Sequence, residues 1–266
     1  MIVIPKNASA PLLALVLCMT MPGRVAAAEN PYDVLGKVLM PIANVFAPAT
    51  QGEAAHHALV LDAHPTGASR LPPELQGKVI HVALMTPDSV LVQAPIGGAF
   101  LTVCRQGDSF WATPGSTIQG LLDQLPAKAS GDKSKKHKAE AAKILGPLTL
   151  PFPQKELVFL PVLFQASDAG EENVAGVPCR ILEVQFMPQV AKSLHAEDWI
   201  AQLWVSANYA LVKIALTGPK WEGTVVIDKL DFPAELPEAT FQPQGADVLR
   251  LTAGQFVELM GRIGRK

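Results

Sequence analysis

Hydrophobic and polar positions follow two different periods along this chain, and the switch between them sets its organisation. Val34, Leu35, Val38, Leu39, Ile42 and Val45 recur at helical spacing and draw one apolar stripe. Ahead of them Asn30 is a candidate cap, Pro31 suits a first turn, and Asp33 complements the positive end of a helix. Pro48 and Gly52 close the segment, and Pro41 inside it predicts a kink or a break into two short helices. From His56 onward the period drops to two. HHALVLDAH, KVIHVALM, SVLVQA and AFLTVCR are separated by turn clusters, and SFWAT follows across Gln106-Gly107-Asp108. Short runs at this spacing predict antiparallel strands joined by hairpins, not βαβ units.

The middle has another texture. Ile118, Leu121, Leu122 and Leu125 form a brief helical stripe that Pro126 stops. A lysine-rich stretch follows, with six lysines between Lys128 and Lys143. It reads as a solvated insertion over about 126–150, with a patch for anionic lipid or an acidic partner as the alternative. Leu157, Phe159, Leu160, Leu163 and Phe164 then supply more apolar surface than an exposed loop needs. Period two returns in GVPCRILEVQFMP, DWIAQLWVSAN, ALVKIALTG and EGTVVIDKLDF. Each of these predicted strands has one strongly apolar face, so the sheet must cover something on that side. The chain closes with a predicted helix: Thr252 and Gln255 have capping-box spacing, and Phe256, Val257, Met260 and Ile263 form its stripe.

The beginning of the chain changes where this fold is expected to work. Lys6, an apolar stretch from Pro11 to Met19, and Ala26 and Ala28 at the peptidase positions make residues 1–28 a secretory signal, cleaved after Ala28. The stretch is too short, and too broken by Pro11 and Pro22, to span a bilayer needing about 20 apolar residues. Leu17 before Cys18 is not the small residue that a lipid-anchor signal carries. Export places the mature chain away from ATP and NAD pools, which excludes most cofactor enzymes. With 49% apolar and 17% charged residues, residues 29–266 hold ample material for one β-rich domain. The formal charge of −2 becomes more negative once Lys6 and Arg24 leave with the signal, which argues against nucleic acid as a partner. Two cysteines remain, Cys104 and Cys179; an oxidising compartment permits a disulfide between them, with two buried free thiols the alternative.

Catalytic signatures are absent: the chain has no H-E-x-x-H, G-x-S-x-G or P-loop. His56, Asp62 and His64 share one strand face by parity, with Asp62 and His64 roughly 7 Å apart. A metal would need a third ligand from elsewhere, and polar residues at a strand end are ordinary, so no metal, cofactor or catalytic residue is assigned. Trp199, Trp204 and Trp221 are packing residues by default, although tryptophan also lines sugar and lipid sites.

Several spaced cues together resemble the LolA/LolB-like superfamily of bacterial envelope proteins, which carry or bind lipids and lipoproteins. GKVIHVALMTPDSVLVQAP looks like the family's early hairpin, and CRQGDSFWATPG like a later one, with Gly107, Trp111 and Pro114 in place. VAGVPCRILEVQFMP enters its strand through Gly176 and leaves through Pro188; LWVSANYALVKIAL resembles a further hairpin; and LPEATFQPQGADVLRL matches the closing motif at Phe241, Pro243, Gly245 and Val248. Met85-Thr86 stands where the carriers have a basic residue before the proline, and the lysine-rich insertion and C-terminal helix are additions. The resemblance implies an α+β fold: a strongly curved antiparallel sheet, or half-open β-barrel, with helices covering its concave face.

It also implies a soluble periplasmic carrier or binding protein for a lipid or a lipidated protein, without enzymatic activity and with at most peripheral envelope contact. The candidate covers of the cup are 31–46, 118–125, 157–164 and 252–263. Strand parity nominates Leu182, Val184, Phe186, Leu203, Val205, Val212, Ile214, Leu216, Val225 and Ile227 as the apolar ligand-binding lining. The alternative is a structural or interaction module whose cup is filled by its own side chains. A secreted hydrolase resting on His64 and Asp62 is the weakest reading.

Overall fold

The computed structural model describes residues 29–47, 57–68, 75–96, 98–123, 148–149, 154–219 and 221–263. The expected signal at 1–28 and almost all of the lysine-rich stretch at 126–150 therefore lie outside the described residues. Every element below belongs to one unit, Pro31–Lys266.

The first apolar stripe forms α1 (Pro31–Val45), and it runs through Pro41 as a single helix. The first five period-two runs form β1 (Ala58–Ala68), β2 (Ile80–Met85), β3 (Ser89–Ile96), β4 (Ala99–Gln106) and β5 (Ser109–Thr113), followed by α2 (Gly115–Asp123). A 3-10 segment, Gln154–Leu163, leads into β6 (Phe164–Val174) and β7 (Val177–Phe186). Then come α3 (Pro188–Leu194), β8 (Ile200–Ser206), β9 (Leu211–Gly218), β10 (Trp221–Asp231), β11 (Leu249–Leu251) and α4 (Ala253–Ile263). The capping box at α4 is made as its spacing predicts: the Thr252 N–H donates to Gln255 Oε1 at 2.9 Å, and the Gln255 N–H donates back to Thr252 Oγ1 at 3.3 Å.

The eleven strands form one antiparallel sheet in the order β11-β5-β4-β3-β2-β1-β10-β9-β8-β7-β6. It is open, with β11 and β6 at its edges, so the fold is α+β with an unclosed, curved sheet. β6 has no counterpart among the strands read from the sequence. An edge strand pairs on one side only, and this one is exposed along most of its length. It therefore lacks the apolar alternation that marks its neighbours.

Helices cover the concave face in two places. At the β4–β5–β11 end, Ile118 and Leu122 of α2 and Phe256 and Leu259 of α4 pack on Leu101, Val103, Phe110 and Leu251. At the β7–β9 end, Val34, Leu35 and Val38 of α1 pack on Leu182, Val184, Leu203, Val205 and Leu211. Burying each such leucine or valine contributes about 1.5–3 kcal/mol. The 3-10 segment is a correction to the expected covers, because it packs chiefly on the back of α1, with Leu157 fully buried against Ala43 and Ala47. Those positions lie across the helix from the stripe that meets the sheet. Val158, Phe159 and Val162 consequently face outward.

The opposite face of the β2–β5 half is covered by the chain between β10 and β11. Phe241, fully buried, packs against Cys104 and Trp111, and Trp111 Nε1 donates to the Phe241 carbonyl at 2.9 Å. Two of the motif residues behind the resemblance, far apart in sequence, thus lock together. Of the two alternatives left open for the cysteines, a disulfide or two buried free thiols, the structure has the second: both are free and buried. Cys104 lies in β4 against Phe241 and Trp111, whereas Cys179 lies in β7 against Val174 and Trp204, so their side chains belong to separate clusters.

Candidate functional site

Cross-strand register builds the site. Leu182 on β7 lies opposite Leu203 on β8, Leu203 opposite Ile214 on β9, Ile214 opposite Val225 on β10, and Val225 opposite Pro65 on β1. Paired residues share a face, so this apolar row crosses the concave side from strand to strand. Val184 and Leu216 form a second row through Ala201, and Val205 a third with Leu211.

Val212 departs from the parity assignment. A register shift at Trp204/Val205 leaves it without a partner on β8, since Val205 pairs with Leu211 and Trp204 with Lys213. The extra residue turns it toward the other face, where it joins Cys179 and Trp204, and Leu211 takes its place on the concave side. No sequence cue marks this bulge, because Leu211 and Val212 are equally apolar.

The concave row is not uniformly accessible. Leu182, Leu203 and Val205 are buried beneath α1. Open space survives at the two ends of the same strands. One end holds a pocket of about 430 Å³ lined by Phe164, Val184, Gln185, Phe186, Leu194, His195, Ala196, Trp199, Ala201 and Leu216. Phe164 stacks on Phe186 at 5.0 Å between ring centroids, and Trp199 packs against Trp221 at 6.0 Å. Two glycines let these indoles lie flat on the sheet: a Cβ on Gly218 would come within 3.0 Å of the Trp199 ring, and one on Gly223 within 2.5 Å of Trp221. Leu194, which overhangs this pocket, is more than half exposed at 58%. The sequence reading missed Phe164, Leu194 and Trp199 as lining residues; Trp199 stood out by type alone.

Polar groups collect on the other face. Trp204 Nε1 donates to Glu172 Oε2 at 2.6 Å, and Lys213 lies 3.9 Å over the Trp204 ring and 3.2 Å from the same carboxylate. These hydrogen bonds, from Trp204 first and Lys213 next, hold Glu172 below its ordinary pKa. The hydrogen bond from Arg180 does the same for Asp168. Asp62 and His64 do share a face, but each has its own partner: His81 Nδ1 lies 2.5 Å from Asp62 Oδ1, and His64 Nδ1 lies 2.8 Å from Asp228 Oδ2. His56 lies outside the described residues. Among the described residues no group of three or more His, Cys, Asp or Glu side chains is arranged to hold a metal. No described helix is long and apolar enough to cross a membrane.

No family model and no curated protein matches the chain. Solved structures do resemble it. The lipoprotein LppX of Mycobacterium tuberculosis aligns with 75% of this chain and 93% of its own, at 10% identity and a TM-score of 0.39. The MucA/MucB complex of Pseudomonas aeruginosa aligns over 84% of this chain at 15% identity and a TM-score of 0.36, and the match spans 63% of that chain. A LolA superfamily protein of Nitrosomonas europaea aligns with 81% of this chain and 99% of its own, at 9% identity and a TM-score of 0.26.

Proposed function

We propose that this protein is a non-enzymatic exported carrier or binding protein for a lipid or a lipidated partner of the bacterial envelope, and that it takes an acyl chain into the aromatic end pocket. The observation that carries this reading is the 430 Å³ pocket, whose lining is apolar except for Gln185 and His195. Its size falls within the range of small-molecule sites. An acyl chain laid between Phe186, Leu216 and Trp199 gains about 0.8 kcal/mol for each methylene removed from water, without any charged contact. The export signal and the motif resemblance support the periplasm as the place of action. Of the lining nominated by parity, Val184, Phe186 and Leu216 are assigned to this pocket. Leu182, Leu203 and Val205 support α1 instead.

A second reading has one observation in its favour, since α1 fills the middle of the concave face and leaves a self-packed core there. In that reading the molecule is a structural or interaction module of the envelope. Native mass spectrometry and titration with a fluorescent C11 acyl probe decide between them. The carrier reading expects co-purifying lipid and saturable probe binding, with Leu216→Trp abolishing the binding in a variant that keeps its circular dichroism and melting temperature. Folded wild-type protein that carries no lipid and ignores the probe overturns it.

A further inference from the structure

The 3-10 segment Gln154–Leu163 is apolar on more sides than α1 covers. From Leu157 to Leu163 it reads LVFLPVL, without a polar residue. A 3-10 helix makes about three residues per turn, so residues three apart lie one above the other. Leu157 and Leu160 occupy the side that packs on Met40, Ala43 and Ala47. Phe159 and Val162 form the next row and point away, 64% and 66% exposed, with Val158 beside them at 62%. A helix that is apolar all round calls for apolar surroundings on every side, and α1 supplies them on one.

The ridge so formed is firmly held. Leu157 anchors it, fully buried, and a Cβ on Gly36 would lie 3.5 Å from Pro161 Cγ, so the proline ring rests over α1 where no side chain intervenes. At its far end the Met187 N–H donates to the Leu163 carbonyl at 2.8 Å, which ties the segment to the start of α3. Phe164, the next residue, and Leu194, the last of α3, both line the aromatic pocket. Exposed apolar side chains therefore flank that pocket from two elements.

Their area narrows the choice of partner. Val158, Phe159, Val162 and Leu194 together expose on the order of 400 Å² of apolar surface. A stable protein complex buries roughly 800 Å² on each partner, about twice as much. A bilayer sets no such minimum, because a few side chains that reach below the headgroups leave water whatever the area around them. Charge adds little. The two elements carry Lys155, Glu156 and Lys192, a net of one positive charge, so apolar burial has to supply the binding.

We propose that this ridge docks the protein on a lipid bilayer, with Phe159 and Val162 inserted among the headgroups. An acyl chain then passes between the bilayer and the aromatic pocket without crossing bulk water. The inference rests on the carrier reading for that chain, and it adds the surface from which the chain is taken.

Sedimentation of the protein with phosphatidylcholine vesicles, with and without phosphatidylglycerol and at low and high salt, tests it. Wild type is expected to bind the phosphatidylcholine vesicles at either salt concentration. Phe159→Ser combined with Val162→Ser should weaken that binding about tenfold or more, since two apolar side chains lose their burial. Neither residue lines the pocket, so the soluble C11 acyl probe should bind the double variant as it binds wild type. Phe159→Ser alone serves if the double variant melts lower. Failure of wild type to bind phosphatidylcholine, or binding that survives in both variants, overturns the proposal. Binding that needs phosphatidylglycerol and vanishes in salt belongs to the lysine-rich stretch and overturns it as well. So does a wild-type dimer that the double variant converts to a monomer, because the ridge is then the site of a second copy. Loss of probe binding by wild type is a separate outcome: it strikes the carrier reading and leaves the vesicle result to decide the docking surface.

Discussion

The two halves of the sheet are built to different standards of closure. In the β2–β5 half both faces are covered: α2 and α4 pack on β4 and β5, Val45 of α1 packs by Leu84 of β2 and Val90 of β3, and the chain carrying Leu236, Phe241 and Val248 packs on the other face. In the β6–β10 half a single helix, α1, covers the concave face, and pockets remain at the two ends of strands β7–β9. The outer face of that half carries the Glu172–Trp204–Lys213 cluster instead of a second layer. The contrast shows how an open sheet can combine a firm foundation with room for a ligand. Layers on both sides hold one half in shape, and a single helix laid over the other leaves space at the two ends of its strands.

Substitutions that unpack each half measure this contrast. The largest loss is expected from Phe241→Ala, which empties a fully buried site between Cys104 and Trp111; it should cost about 3–5 kcal/mol in denaturant unfolding. In the other half Leu182→Ala, beneath α1, should cost about 2–5 kcal/mol. Phe186→Ala, half-buried on the pocket wall, should cost distinctly less stability while weakening acyl-probe binding. If Phe186→Ala destabilises as much as Leu182→Ala, the pocket wall is part of the core and the contrast breaks down.

Cysteine labelling probes the same two environments. Unfolded, unreduced protein should show two reactive thiols. In the native state Cys104 should react last, since burial pushes its pKa up to about 12 and suppresses the reactive thiolate. The smallest effect belongs to acid. Asp168 and Glu172 have folded pKa values below their ordinary ones, so their contribution is present above the usual carboxylate range and is lost as pH falls through the depressed values. Both carboxylates are exposed, so a melting-temperature series into acid should show only a modest decline from this source, and Asp168→Asn should flatten it further.

Much of the architecture was legible in the pattern alone. The stripe from Val34 to Val45, the alternation in β1–β5 and β7–β10, and the Thr252/Gln255 box each report a local preference that the fold then satisfies. β6 escaped because an exposed edge needs no apolar face. Parity, a property of single strands, groups Leu182 through Val205 and Ile214 through Ile227 on one face as the register does, but not Val212, where one inserted residue reverses the face. The choice between a Cys104–Cys179 disulfide and two buried thiols stayed open for a related reason: the count of cysteines says nothing about which cluster each side chain joins.

By itself, then, the amino-acid sequence determined periods, caps and turns, because those depend on neighbours a few residues away, and it determined that the strands would have a face in need of cover. Only the tertiary structure decided how that face is shared between protein and empty space. Which of the apolar residues α1 seals, and which remain beside Trp199 or Lys37, depends on the length and placement of one helix over strands up to about 200 residues further along the chain. The face of Val212 depends likewise on a register shift between β8 and β9. Such long-range packing is settled by how elements fit against one another, and no local pattern encodes it.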